Sequence, residues 1–537
     1  MVSGNGLWDN HIEDTMSHHI FNNKYYYTYD ALPGSLYHVL VKTVQKFPHK
    51  TAIIDNENMY YSYFDLLKLV DEFSSYLNHQ IKISKGDHVG LMMYNSIEYC
   101  VSFLALSKIG AVTVALPSKF KEDEVVPLAE KAEVCCIICD KSFSDYFRNF
   151  KNTVKIVTSV DSTVKYGFSH LDMNMLDTCT STGNLEDPAL ILFTSGTTSQ
   201  SKCVEIRNFN MMHAILSYQR ILNITSEDKS VIATPIYHIT GLVALLGLFL
   251  YSGGCLYLHR KFEADKVLDC VKNHNITFLH ASPTVFIKLL ELHTAHPELP
   301  SLRSFACGSS NMPPEKLRQL HKWLPNLSFR TVYGLTETTS PATIFPGDAC
   351  TSPFIGSSGF PIPGVEIKIV GEHGEELADN NIGEILLRGC NIINRYYNTD
   401  ADAGEDDWLR TGDLGYLNSE HYLYIVDRKK DMINRGGEKI WSIDIENELC
   451  KIPDIMEAAV VGIPDAVYGE VPEAVIRVST GVSITPEEVK EILKDRLAKF
   501  QIPQKIIIAD TIPKTPNDKV DKKVIRKLLT RQEDLYA

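Results

Sequence analysis

Between residues 35 and 330 the chain alternates short apolar runs with longer segments of helical periodicity. "HVGLMMYNS", "IEYCVSFLALSKIGA" and "VTVALPS" follow one another as strand, helix and strand, a βαβ step. "VCCIIC", "VKIVTS", "ALILFT" and "ITFLHASP" continue the series as apolar runs of the kind that a parallel sheet buries on both faces. The pattern predicts an α/β domain of mixed, mostly parallel sheets with helices. Beyond about residue 355 the texture changes. "GVEIKIV", "GEILLRG" and "HYLYIVDR" are short strands between glycine and charged turns, which predicts a small β-rich subdomain at 355–427. After the charged run "DRKKD" (427–431) come a Gly-Gly loop, a helix ("SIDIENELCKI"), two strands, a helix ("PEEVKEILKDRLAKF") and a basic tail. That is enough chain for a small C-terminal α+β domain at 431–537. The expected organisation is an N-terminal arm at 1–34, a large domain at 35–427, a hinge at 428–430 and the C-terminal domain.

Composition adds little to this and excludes several classes. A length of 537 residues implies more than one core. The first twenty residues lack the basic-then-apolar pattern of a signal peptide and read as a loose arm. "ITGLVALLGLFLYSGGCLYL" (239–258) is uncharged and long enough to span a bilayer. Its Ser252-Gly253-Gly254 turn splits it into a helix and a strand, so no integral membrane association is expected. Cys136 and Cys139 have a CxxC spacing without a second pair or a histidine cluster, which reads as a buried strand rather than a zinc site. Reduced thiols in a cytoplasmic protein follow. The net charge of −14 argues against a nucleic-acid partner. From Asp427 onward 19 basic residues nearly balance 20 acidic ones, so the acidity belongs to the large domain.

The chemistry starts in "ALILFTSGTTSQSKCVEI" (189–206), where an apolar strand ends and Thr, Ser and Gly crowd a loop before Lys202. Small residues let backbone N–H groups approach phosphate oxygens, and hydroxyls add donors. The loop is not a Walker A motif, because GxxxxGK[ST] is absent. A solvated turn is the alternative reading of the loop taken alone.

Downstream lie "CGSSNMPPE" (307–315), "TVYGLTETT" (331–339), "WLRTGDLGYL" (408–417), "YIVDRKKDMINRGGEKI" (424–440) and "PKTPNDKVDKK" (513–523). In order and spacing the set resembles the acyl-adenylate-forming superfamily of acyl- and aryl-CoA ligases, over nearly the whole chain. The resemblance implies an AMP-forming acid–thiol ligase that uses ATP, Mg²⁺ and coenzyme A, with a mobile C-terminal domain. It implies that Thr194, Ser195, Gly196, Thr197, Thr198 and Lys202 hold the β- and γ-phosphates. Ser309, Ser310 and Asn311 would lie along adenine, with Tyr333 stacked on it and Gly334 beside it. Thr336 would bond the α-phosphate and Glu337 the metal. Asp413 would accept from the ribose hydroxyls with Arg428 next to it, and Lys430 would be the hinge. Lys519 would be the catalytic cation, and Gly436 and Gly437 would form a loop on the coenzyme A side. Tyr237, His238, Gly308 and Gly334 would line the acid and thiol pocket.

Each residue has a structural alternative: Asp413 a turn cap, Tyr333 a core aromatic, Lys430 a surface lysine, His238 a packed histidine. Two motifs depart from the family. Ser199-Gln200-Ser201-Lys202-Cys203 stands where Gly-x-Pro-Lys-Gly is usual, and Asp518 stands where a glycine precedes the catalytic lysine. A nucleotide-binding pseudoenzyme is therefore one alternative, and a stand-alone enzyme loading a separate carrier protein is another. Nothing near the acid pocket is acidic or basic in the sequence, so the expected substrate is a medium-size monocarboxylic acid, and the expected state is a monomer or homodimer.

Overall fold

The structure, a computed structural model, describes residues 1–150, 154–158, 167–168, 171, 179–194, 201–399, 404–405, 407–479, 481–515 and 519–531. The βαβ pattern becomes a six-stranded sheet in the order Cys203–Arg207, Pro188–Phe193, Val112–Ala115, His88–Met92, Cys136–Cys139 and Val154–Val157. All its pairs are parallel except the first, which is an antiparallel hairpin. The helix Ile97–Ile109 is apolar on every side, and the fold covers it on every side. Its single lysine, Lys108, is buried and pairs with Asp71 at 2.8 Å. Ser96 caps its start, accepting from the Tyr99 amide, and Gly110 ends it at φ +78°, a conformation that suits glycine.

A second sheet joins Phe278–Ala281, Ser304–Cys307 and Ser328–Tyr333 in parallel before two short antiparallel strands. A third carries Lys229–Ile232 and Cys255–Leu258. The apolar run 239–258 is a helix, a left-handed turn at Gly253 and a strand inside the main core. No helix among the described residues is long and apolar enough to cross a membrane. Cys136 and Cys139 lie in a buried strand, and no metal-holding cluster occurs among the described residues.

Val365–Val370, Gly383–Gly389, Trp408–Leu417 and Leu423–Arg428 form the β-rich sheet, all antiparallel. Its outer edge is completed from the far end of the chain, where Val2 and Ser3 pair with Ile367 and Glu366. Trp8 is buried and donates its indole N–H to the Pro361 carbonyl at 2.8 Å, and Met16–Phe21 forms a hairpin with Lys24–Tyr29. The N-terminal segment is thus packed, not loose. The C-terminal residues form a separate small unit. Strands Ile433–Arg435, Glu438–Ile440, Gly469–Val478, Ile455–Asp465 and Ile506–Ile508 build one sheet with its own apolar clusters.

Candidate active site

The parallel strands of the large domain end on one side, and their carboxyl ends open into a cleft, the usual ligand position for such sheets. Thr194 follows Pro188–Phe193, Ser282 follows Phe278–Ala281, Gly308 follows Ser304–Cys307, and Tyr333 ends Ser328–Tyr333. Gly308 is forced by close approach, because a Cβ there would stand 2.7 Å from the Val332 carbonyl oxygen. The cleft holds a cavity of about 620 Å³, lined by Thr194, Ser309, Ser310 and Asn311, by Tyr333 and Gly334, and by Asp413, Arg428, Lys430 and Lys519. A volume of this size suits a nucleotide.

The antiparallel register of the β-rich sheet sets Asp413 directly opposite Arg428. Their side chains meet at 3.3 Å, and the Tyr333 hydroxyl donates to the other Asp413 oxygen at 2.8 Å. Burial raises the Asp413 carboxyl above its usual range, with Arg428 and the tyrosine bond opposing that rise. Burial, then the Asp413 charge, lifts the Tyr333 phenol well above its ordinary value, so it remains a donor. A diol replacing these internal contacts would relieve a costly buried carboxylate.

Lys519 enters the same space from the C-terminal unit. Burial, and next the neighbouring Arg428, pull its ammonium down to about 8, against the attraction of Asp413 and Glu337. An anion between these groups would reverse that shift. Glu337 begins a line of contacts that the sequence does not announce. The Tyr396 hydroxyl donates to its Oε1 at 3.1 Å, and the Lys202 ammonium lies 4.3 Å from the Tyr396 ring centre. Lys202 and Thr194 also close the hairpin loop, with Thr194 N donating to the Lys202 carbonyl and Lys202 N to Thr194 Oγ1. Ser195, Gly196, Thr197, Thr198, Ser199, Gln200 and Asp518 lie outside the described residues. Cys203 sits in the second strand of the hairpin, paired with Phe193, and that strand position does not call for the glycine usual in the motif.

A second cavity of about 90 Å³ adjoins the first, sharing Phe193, Ser309, Gly334 and Lys519. His238, Gly308 and Thr336 line it as well. Tyr237 lines neither cavity, contrary to the sequence expectation. Its side chain is 1% exposed in the main core, packed 4.4 Å from the His238 ring, because the turn that faces His238 to the cleft points its neighbour inward. Gly436 and Gly437 line neither cavity and form an outer turn, held by Gly436 N on the Tyr468 carbonyl and Gly437 N on Asn434 Oδ1.

Side-chain contacts join the C-terminal unit to the large domain. Asn447 accepts from Asn311 at 3.0 Å, Lys514 donates to Thr284 at 3.2 Å, Lys439 pairs with Glu372 at 2.8 Å, and Arg477 pairs with Glu291. Interfaces between domains of one chain are commonly polar in this way.

Fold and site together define a two-domain enzyme of the adenylate-forming class. The AMP-binding enzyme model matches residues 40–397, and the model of its C-terminal domain matches 444–519. This chain belongs to the AMP-binding enzyme family. It is 30% identical over 511 residues to an oxalate–CoA ligase of Arabidopsis thaliana, covering 92% of this chain and 98% of that one. It resembles the o-succinylbenzoate CoA synthetase of Bacillus subtilis bound to its acyl-adenylate intermediate, with a TM-score of 0.81, 27% identity and coverage of 91% and 97%. It also resembles the ATP-bound MatB of Rhodopseudomonas palustris, with a TM-score of 0.84, 26% identity and coverage of 93% and 100%.

Proposed function

We propose that the protein joins a carboxylic acid to coenzyme A in two half-reactions at this cleft. A carboxylate oxygen attacks the α-phosphorus of ATP, the bond to pyrophosphate breaks, and an acyl-adenylate forms. The thiol of coenzyme A then attacks the acyl carbon and AMP leaves. The observation that supports this most is Lys519, which borders both cavities where they meet. An ammonium there offsets the repulsion between carboxylate and phosphate and the charge gathering at phosphorus. Thr336, on the wall of the smaller cavity, is placed for the α-phosphate. Asp413 and Arg428 take the ribose, Tyr333 and the 309–311 segment take the base, and Thr194 and Lys202 flank the outer phosphates.

ATP with a suitable acid is expected to give pyrophosphate and AMP. ADP as the main nucleotide product would sink the adenylation reading, and nucleotide binding without turnover on any acid would favour a pseudoenzyme. Coenzyme A is expected to accelerate AMP release and yield a thioester visible by mass. Transfer only to a phosphopantetheinylated carrier protein would replace coenzyme A as the acceptor.

Glu337 fits a magnesium ion, since a carboxylate is a hard oxygen donor and Tyr396 occupies only its Oε1. The ion would offset phosphate charge when bound. Glu337→Gln is therefore expected to raise the Mg²⁺ concentration needed for half-maximal adenylation and to lower the rate. A metal titration curve identical to wild type would move the ion elsewhere. We place the protein in a reducing compartment such as the cytoplasm, where cysteines stay thiols. The second half-reaction requires Lys519 to withdraw and the 436–437 turn to approach, so we place a domain rotation at Lys430.

A further inference from the structure

Lys519 lies on a loop of the C-terminal unit, and the ties within that unit do not by themselves aim it into the cleft. Thr515 N donates to the Lys519 carbonyl at 2.7 Å, Lys514 and Val520 pair across the loop, and the helix Lys522–Arg531 follows. These bonds fix the loop to its own unit. One line from the loop to the large domain is Lys514, which donates to Thr284 at 3.2 Å. A second is a buried chain of charged groups that the proposed chemistry leaves without a role.

That chain starts at Asp427, which is 1% exposed and precedes Arg428 in the β-rich sheet. One of its carboxylate oxygens accepts the Arg428 amide at 2.7 Å. The other accepts both the amide and the hydroxyl of Ser442, at 2.6 and 2.7 Å, from beyond Lys430. Ser442 opens the helix Ser442–Cys450, whose own cap position holds Trp441 and supplies no side-chain bond. A helix start presents free N–H groups and the positive end of a dipole, so it favours an anion. Here the anion comes from the large domain. The Ser442 hydroxyl also accepts from the Lys522 ammonium at 2.6 Å. Lys522 pairs in turn with Glu446 at 2.7 Å, and the same Glu446 oxygen accepts the Val460 amide at 2.9 Å. Burial works against the Lys522 charge, but Glu446 and then Asp427 outweigh it and hold the ammonium above its usual range. Donating to one charge and accepting from the other, the hydroxyl sets the distance between Asp427 and Lys522. Lys522 stands three positions after Lys519.

We propose that Asp427, Ser442, Lys522 and Glu446 form a positioning line that seats Lys519 in the cleft for adenylation. This rests on the ligase reading and adds to it the device that places its cation. The four residues act through Lys519. A buried charge stripped of one partner is strongly unfavourable, so the line favours one seating of the C-terminal unit over its neighbours. Asp427 and Ser442 lie on opposite sides of Lys430, so turning the unit about that residue would part them. The line thus serves the first half-reaction and would open for the second.

The half-reactions are measured by single turnover in Ser442→Ala, which removes the hydroxyl and keeps the amide, and in Lys522→Met, the harsher change because it strands Glu446. Adenylation is expected to slow by roughly 10- to 100-fold, as for the loss of a hydrogen bond to a charged group, through kcat and not through the KM for ATP. Thioester formation from supplied acyl-adenylate should be spared, and Ser442→Thr, which keeps a hydroxyl, should restore adenylation. In a Lys519→Ala background Ser442→Ala should add almost no further loss, because residues acting through one group are not additive. A second readout needs no turnover: the pH dependence of Lys519 acylation by a small amine reagent, followed by mass spectrometry without nucleotide. Burial and then Arg428 lower this ammonium, against Asp413 and Glu337, and all three residues belong to the large domain. The midpoint is therefore expected at about 8 in the wild type and shifted toward the ~10.4 of a free lysine in both variants. An unmoved midpoint, equal slowing of both half-reactions, or full additivity with Lys519→Ala would overturn the positioning line and leave the ligase reading intact. A shifted midpoint in a protein that releases pyrophosphate with no acid would do the reverse: the line stands and the ligase reading falls.

Discussion

Lys519→Ala is expected to slow acyl-adenylate formation by roughly 10²–10³-fold while leaving thioester formation from supplied acyl-adenylate little changed. The magnitude is that of removing one positioned group that stabilises developing charge. The asymmetry follows from geometry. Lys519 stands where the two cavities adjoin, so on the proposed reading its ammonium would face the carboxylate and the α-phosphate together. Once the anhydride exists and pyrophosphate has left, there is no second anion for it to reconcile. Its ammonium, held down to about 8 in the free site, adds a pH signature. The charged form is the active one, so kcat/KM for adenylation should fall as pH rises through about 8. Saturating ATP brings anions beside the ammonium, stabilises the charged form and should move that limb of the kcat profile to higher pH. Lys519→Arg, which does not lose its charge in this range, should lack the alkaline limb. Equal loss of both half-reactions in Lys519→Ala, measured by single-turnover assays, would remove the lysine from a specific role in adenylation.

Most of the scaffold was legible because local pattern and tertiary need agree. Cys136–Cys139 within "VCCIIC" and Ala189–Phe193 within "ALILFT" are strands buried on both faces, and the hydroxyl-rich loop lies between strands as its composition suggested. Asp413 and Arg428 were legible only as motif members. Their contact arises from an antiparallel register across a sheet, which no spacing announces. Tyr396, His280 and Ser282 were missed for a related reason. Each is a lone polar or aromatic residue in or beside an apolar strand or turn, and only assembly of distant segments gives it a neighbour. The lining of the smaller cavity was equally hidden, because Thr234, His280 and Ser340 come from three distant segments. The N-terminal segment misled for want of periodicity, since it is anchored by a two-residue strand and one indole bond to residues more than 350 positions away.

Lys430→Pro is expected to give the opposite defect to Lys519→Ala: a stoichiometric burst of pyrophosphate, then a stall before thioester. The backbone around this position is divided between the two units. Lys429 N is bonded to the Gly412 carbonyl in the β-rich sheet at 2.9 Å, while Asp431 N and Met432 N both bond the Arg428 carbonyl at 2.9 and 3.1 Å. Lys430 sits between these ties, exposed, on the wall of the nucleotide cavity. A rotation of the C-terminal unit must be absorbed by a few dihedrals, and this is where the chain offers them. Proline fixes φ near −65° and restricts the residue before it, so the variant should be confined to one arrangement. With Lys519 in the cleft that arrangement still supports adenylation, but the Gly436–Gly437 turn stays outside and the thiol has no closed face to enter. Lys430→Ala separates backbone from charge, because it removes the ammonium and leaves φ free. It should complete both half-reactions at rates close to wild type. A proline variant that forms thioester from bound acyl-adenylate as fast as the alanine variant would show that the large and small domains do not turn about this residue.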